Sequence, residues 1–298
     1  MNALKPIVVG VDFSENSRNA VKEAARLARS IGTQLHVVHI VTADIIEDQH
    51  ELYQLSIDET LDRTRAQLEE FCEAIMTDPA KVAYHAFIGH PYHDLISLIQ
   101  ESDAGMLVMG SRGTSTESHH TGAIATQCAR HAPVPVLLVR KHQLQPFKKI
   151  TACVDFSDES QKALALAAII AAEEGASLDA VHVHYPPWLL PRNVLYNLER
   201  TPEAEFREKY QELLDDRFKV ALAKVREAHP ELKIEPVSIA HANVHYGICE
   251  HLRESGSDLV VIGSHGHTRI RDLIVGSTAE RLIRQSPCSI LISRLPKD

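Results

Sequence analysis

The sequence predicts an α/β protein of two tandem domains, each a doubly wound, five-stranded, mostly parallel sheet with helices on both faces. Three observations predict it. Short apolar runs alternate with helical patterns along the whole chain, the signature of βαβ crossovers. The chain repeats itself: Val11-Asp12-Phe13-Ser14 recurs as Val154-Asp155-Phe156-Ser157, and Gly110-Ser111-Arg112-Gly113 as Gly263-Ser264-His265-Gly266, in the same order. The length of 298 residues also suits two domains of ordinary size. The offset between copies is 143 residues at the first motif and 153 at the second, so the second copy carries an insertion of about ten residues. The boundary falls within 143–147, giving domains 1–144 and 145–298.

In the first copy, residues 7–11 form an apolar strand that runs into Asp12. Ser14 then offers N-cap chemistry for a helix over 14–30. A strand over 35–41 and one long helix over 47–76 follow. Next come a strand at 82–87, a helix at 92–100, a strand at 106–109, a helix at 122–130 and a last strand at 134–139. In the second copy, the strand 150–154 leads to Ser157 and an alanine-rich helix that stops near Gly175. The strand 178–183 is followed by a helix over 202–229, with Pro202 placed at its first turn and Pro230 as a stop. A strand at 234–239, a helix at 244–254, a strand at 259–262, a helix at 277–284 and a strand at 288–292 complete the copy. The continuously apolar strands, such as 259–262, read as buried on both faces.

Composition excludes several classes. Forty acidic residues against 31 basic ones give a net charge of −9, which argues against nucleic acid as a partner. No apolar run reaches membrane-spanning length, so no membrane partner is expected. Cys72, Cys128, Cys153, Cys249 and Cys288 are scattered and form no C-x-x-C, which points to buried, reduced thiols and a cytoplasmic location. The 18 histidines form close sets such as His90/His93, His119/His120, His241/His245 and His265/His267. No thiol joins them at zinc-like spacing, and they read as surface or capping residues. His241 falls in a loop before an Asn243 cap.

Ligands of open parallel sheets sit beyond the carboxyl ends of the strands. Asp155, Val183 and Gly263 stand at such ends. The second copy then reads Gly263-Ser264-His265-Gly266, nine residues, and Gly276-Ser277-Thr278. Glycines allow main chain to approach a ligand closely, and Gly276-Ser277 opens a helix whose first N–H groups attract phosphate. Neutral backbone donors reconcile anion binding with an acidic chain. The structural alternative is that these glycines serve only as turns. No G-x-x-x-x-G-K-[ST] and no G-x-G-x-x-G after the first strand appears, nor G-x-S-x-G, H-E-x-x-H or a Cys/His pairing.

The repeated V-D-F-S, the strand ending His182-Val183 and the G-x2-G-x9-G-S of residues 263–277 together resemble the universal stress protein family, in both copies and over nearly the whole chain. The resemblance implies binding of ATP or another adenine nucleotide in the second copy, with Mg as the accompanying ion. By similarity Asp155 would lie near the ribose or the metal and the Val183 backbone would read the adenine edge. Gly263, His265 and Gly266 would line ribose and α-phosphate, and Gly276, Ser277 and Thr278 would hold the outer phosphates. Cys153, Val154 and Ile262 complete the expected set. The first copy keeps Asp12, Ile40, Gly110 and Gly113, but its spacer is eight residues and Gly122 is followed by Ala123. The shorter spacer is expected to shift the helix start, leaving at most a weak second site. The resemblance also implies that strands 134–139 and 288–292 pair within the chain as an internal pseudo-dimer, with a further homodimer of chains compatible. The function expected is a stress-response protein acting through nucleotide-dependent conformation or partner binding. The alternatives are a nucleotide-independent interaction scaffold and a slow ATPase. The proline-rich stretch 185–191, with the single Trp188, is read as a lid, a partner patch or a loop packed on its own long helix.

Overall fold

The computed structural model describes residues 5–76, 81–111, 121–140, 146–186, 188, 203–266 and 275–294. In the first copy the elements run β1 (Ile7–Gly10), α1 (Glu15–Ile31), β2 (Leu35–Val41), α2 (Ala43–Tyr53), α3 (Ile57–Glu73) and β3 (Val82–Ile88). They continue with α4 (Pro91–Glu101), β4 (Met106–Gly110), α5 (Ala123–His131) and β5 (Val136–Val139). The second copy gives β6 (Lys149–Cys153), α6 (Asp158–Glu174), β7 (Ser177–His184), α7 (Glu203–Ala228) and β8 (Ile234–Ala240). It ends with α8 (Val244–Glu254), β9 (Leu259–Gly263), α9 (Ser277–Gln285) and β10 (Ser289–Ser293). The alternation of strand and helix is the expected one.

Contacts divide the chain into two units, residues 1–145 with 283–298, and residues 146–282. The first unit orders its strands β3-β2-β1-β4-β5-β10, and the second β9-β6-β7-β8. The pairings among β1–β5 and among β6–β9 are parallel. Each copy contributes five strands, β1–β5 and β6–β10, while contacts group β10 with the first unit, so the units hold six and four strands. There β10 pairs antiparallel with β5, Leu291 opposite Leu137, so the expected pairing of the two final strands is present. Arginines at matching places brace this pairing reciprocally. Arg140 donates to the Ile283 carbonyl of α9, and Arg294 to the Ala129 carbonyl of α5.

The sheet cores follow from composition. Val8, Val9, Val37, Leu107 and Val108 in the first unit, and Ala152, Leu178, Val260 and Val261 in the second, are sealed from solvent, as strands covered on both faces require. In each unit the chain leaves its first strand for one neighbour and returns on the other side, so β1 and β6 sit where the strand order reverses. That crevice is where ligands of such sheets bind.

Helix ends show why the boundaries fall where they do. Ser14 and Ser157 accept the N–H of Ser17 and Ser160 at the starts of α1 and α6, while Gly32 and Gly175 close both helices with φ of 72° and 67°. A left-handed C-cap of this kind favours glycine. The single helix expected over 47–76 is instead two. Gln54 adopts φ 57° and donates its N–H to His50, ending α2. Ser56 then restarts the chain through a capping box with Glu59, the Ser56 N–H donating to Glu59 Oε2 at 2.8 Å. Helical periodicity ran through the break, but the S-x-x-E signal marks it. Pro202 lies outside the described residues. Replacing Ser56 by Ala is expected to destabilise the protein by about 1 kcal/mol in chemical denaturation, with fraying confined to the start of α3.

Candidate functional site

The carboxyl ends of β6, β7 and β9 converge on a cleft of about 240 Å³ in the second unit. Cys153, Val154 and Asp155 form its floor, Val183 one wall, and Ile262 and Gly263 the opposite rim. His265 and Gly266 approach from the loop, and Gly276, Ser277 and Thr278 from the start of α9. Every residue expected in the second-copy set lines this one cleft. Ser160, Val181, Val244, Ile248 and Ala279 line it as well and were not expected. Val244 and Ile248 are one helical turn apart on α8, so an i, i+4 apolar pair was the available signal.

Asp155 is set by an unusual backbone turn. Phe156 adopts φ 65°, a conformation that most side chains avoid, and Phe13 repeats it at 60°. The turn folds Ser157 back, so its N–H and hydroxyl donate to Asp155 Oδ1 at 3.0 and 2.5 Å. The other carboxylate oxygen, Oδ2, faces Gly266, where an added Cβ would stand only 2.5 Å away. Any other residue there would displace this carboxylate oxygen, which glycine leaves in place. Gly263 is also confined: a Cβ would meet Glu159 of α6 at 3.2 Å.

Gly276 has a different role. A Cβ there would find only ordinary contacts, the nearest at 3.6 Å. Its N–H donates to the Ser264 carbonyl at 2.7 Å, which ties the start of α9 to the end of β9. The next three N–H groups, of Ser277, Thr278 and Ala279, have no partner within the helix by its geometry and border the cleft. The Ser277 and Thr278 side chains add two hydroxyl donors. The cleft thus joins an apolar lining that includes Val183, Val244 and Ile248 to N–H and O–H donors, with one carboxylate among them.

A matching cleft of about 280 Å³ occupies the first unit, lined by Asp12, Ile40, Gly110 and Gly122 among others. Gly113 lies outside the described residues. The expected shift of the helix start is not found. Gly122 donates its N–H to the Ser111 carbonyl at 2.9 Å, the counterpart of the Gly276–Ser264 bond, despite the shorter spacer. What differs is the lining, since Ala123 and Ile124 replace Ser277 and Thr278. Outside the clefts, Asn243 caps α8 by accepting from the Tyr246 N–H, and His241 braces the same turn through Asn243. His119, His120 and His267 lie outside the described residues. Among the described residues, no group of three His, Cys, Asp or Glu side chains could hold a metal ion. Trp188 packs against His184 and Tyr210, with the Arg207 guanidinium 4.6 Å above its ring, so this residue meets the long α7 helix. The remainder of the stretch, Pro187 and 189–191, lies outside the described residues.

Comparison with known proteins adds an independent line. The family model described as "Universal stress protein family" matches twice, over residues 3–140 and 146–294. Universal stress protein Slr1230 of Synechocystis sp. is 24% identical over 98% of this chain and 100% of its own length. Universal stress protein A homolog 1 of Coxiella burnetii is 33% identical over 49% of this chain and 94% of its own. A crystal structure of a universal stress protein from Archaeoglobus fulgidus shares the fold, with a TM-score of 0.62 at 20% identity, covering 97% of this chain and 98% of that one.

In each copy a histidine supports the turn, His182 from outside the cleft lining and His39 as part of the lining of the first cleft. His182 Nδ1 lies 2.7 Å from the Val154 carbonyl and His39 Nδ1 2.7 Å from that of Val11, with Phe156 and Phe13 packed 4.6 Å from the respective rings. A carbonyl accepts only, so both nitrogens donate. Burial holds both histidines below their ordinary pKa, outweighing the raising effect of those hydrogen bonds. The folded form therefore keeps neutral imidazoles, whereas the unfolded chain takes up protons below about pH 6.5. Stability from these groups is present above that value and is lost as pH falls through it. The melting temperature is expected to drop between about pH 7.5 and about pH 5.5, and His182→Gln to show a shallower drop than the unaltered protein.

Proposed function

The chain belongs to the universal stress protein family, and from that premise we propose that it binds ATP or a related adenine nucleotide in the cleft of the second unit. It acts as a cytoplasmic stress-response protein through the conformation or partner surface that this nucleotide favours. The observation that carries the reading is the convergence of all eleven motif residues, from three strand ends, a loop and a helix start, on one cleft. The donor set suits such a ligand. The apolar lining that includes Val183, Val244 and Ile248 takes a flat apolar base, and the Val183 backbone at the strand end offers edge hydrogen bonding. Asp155 Oδ2, beside Gly266, is placed to accept from a ribose hydroxyl or to meet a nucleotide-bound magnesium ion. The start of α9 supplies N–H and hydroxyl donors and the positive end of a helix dipole to phosphate oxygens.

Asp155 is the single carboxylate lining the described cleft, so magnesium would rely mainly on phosphate oxygens for its ligands. The chemistry magnesium supplies is neutralisation of phosphate charge. The cytoplasmic reading is supported by five cysteines all buried as thiols, with Cys72 and Cys128 pushed up to about 12 by burial. No described helix is long and apolar enough to cross a membrane.

Acid extraction of freshly purified protein, followed by chromatography, should release an adenine nucleotide. Calorimetry should give one ATP bound per chain. Because a side chain at Gly276 meets no protein atom closely, Gly276→Val should fill the phosphate end while the fold persists. We expect affinity at least about tenfold weaker, roughly 1.4 kcal/mol, with circular dichroism unchanged. Absence of nucleotide from the extract together with no calorimetric binding would overturn the proposal.

A further inference from the structure

We infer that the cleft of the first unit is a site for an uncharged purine nucleoside that discriminates against its phosphorylated forms; this rests on the nucleotide reading of the second cleft. The two clefts correspond along their walls, except that His39 lines the first while its counterpart His182 does not line the second. Where the second has Val154-Asp155, Val181 and Val183, the first has Val11-Asp12, Val38 and Ile40. Pro91 and Leu95 of α4 stand for Val244 and Ile248 of α8, one turn apart in both cases. The base and sugar end is thus kept in kind. It has an apolar lining, a strand end with its backbone exposed to the cleft, and a carboxylate.

Among the described residues, the start of the last helix is changed in one direction. Ala123 and Ile124 begin α5 where Ser277 and Thr278 begin α9, so two hydroxyl donors become a methyl and a branched alkyl group. The backbone frame around them is unaltered, because the Gly122–Ser111 closure reproduces the Gly276–Ser264 closure. A phosphate chain meeting this helix start would give up water beside alkyl surface, with fewer hydroxyl donors among the described residues in exchange. Buried charge without compensating hydrogen bonds is strongly disfavoured. A neutral nucleoside loses nothing by the change and gains apolar contact with Ile124. Gly10 replaces Cys153 on the floor, and the cleft is the larger of the two at about 280 against 240 Å³.

Asp12 keeps the means to hold a sugar. Its Oδ1 accepts from the Ser14 N–H at 3.1 Å and from the Ser14 hydroxyl at 2.5 Å, the same fixation that Asp155 receives. This fixation orients the carboxylate alike in both copies, and in the first copy Asp12 Oδ2 can accept from a ribose hydroxyl. A chain with these clefts would report two related ligands at once, a nucleotide in one unit and its dephosphorylated product class in the other.

The test is calorimetry on the full chain with adenosine and, separately, with ATP and magnesium. The unaltered protein should bind two adenosines and one ATP. Gly10→Leu, whose Cβ would have its nearest contacts with Leu95 and Met109 at ordinary distances of 3.6 to 3.7 Å, should lose one adenosine and keep its ATP. The double variant Ala123→Ser, Ile124→Thr should gain a second ATP. Two ATP per unaltered chain would overturn the inference. So would a single adenosine that Gly10→Leu leaves in place. If Gly10→Leu fails to fold, the double variant decides: a stoichiometry still at one ATP counts against the inference. A chain that binds no ATP but loses an adenosine in Gly10→Leu would remove the reading of the second cleft and support this one.

Discussion

One backbone hydrogen bond in each copy sets the geometry on which both clefts depend. The N–H of the glycine before the last helix, Gly122 or Gly276, reaches back to the carbonyl of the serine that follows the fourth strand, Ser111 or Ser264. It pins a helix start against a strand end, so unsatisfied N–H groups face the crevice at the switch in strand order. Because donor and acceptor are both main chain, side chains at the helix start can change without moving it. Scaffold and chemistry are thereby separated. Spacers of different length meet the same closure, and the linings diverge on a common frame.

Much of this was legible in the sequence, for identifiable reasons. Leu35–Val41 and Val244–Glu254 match the expected bounds residue for residue, since apolar runs and an Asn cap mark their ends sharply. The repeat located the cleft, because a duplicated motif at a strand end exposes residues that packing alone would not select. Three features were hidden. The break at residues 54–56 was masked by good helix formers on either side, although its capping box was written in the local sequence. Val244 and Ile248 became lining only through the packing of α8 on β7, and their i, i+4 apolar spacing is a signal that ordinary core residues share. The loop arithmetic misled because it treated the spacer as rigid, whereas the closing hydrogen bond holds its ends at the same separation.

The turn after the first strand of each copy shows how a local cost is sustained. A left-handed phenylalanine is disfavoured by roughly 1–2 kcal/mol. Both copies retain it, and both surround it in the same way. Phe13 lies 4.6 Å from His39 and 5.5 Å from Phe71, and Phe156 lies 4.6 Å from His182 and 5.3 Å from Phe218. The aromatic contacts hold the ring, the ring holds the turn, and the turn aims the aspartate. Glycine would suit the backbone better but would leave the histidine and the neighbouring helix without a packing partner. The position of the carboxylate in each cleft is therefore secured by the rings packed around this turn.

The antiparallel meeting of β5 and β10, with each arginine gripping the other copy's helix, bears on how such a chain can change over time. After a duplication, the two halves are free to diverge only where they do not complete one another. The linings of the two clefts lie within single units and have drifted apart. The final strand of the second copy, however, closes the apolar edge that the first would otherwise expose, and an open edge of that kind invites aggregation. Neither half is thus a module that can be excised, exchanged or lost by truncation without damage to the other. Fusion has made the pairing strand common property, and inheritance of the two sites is bound together by it.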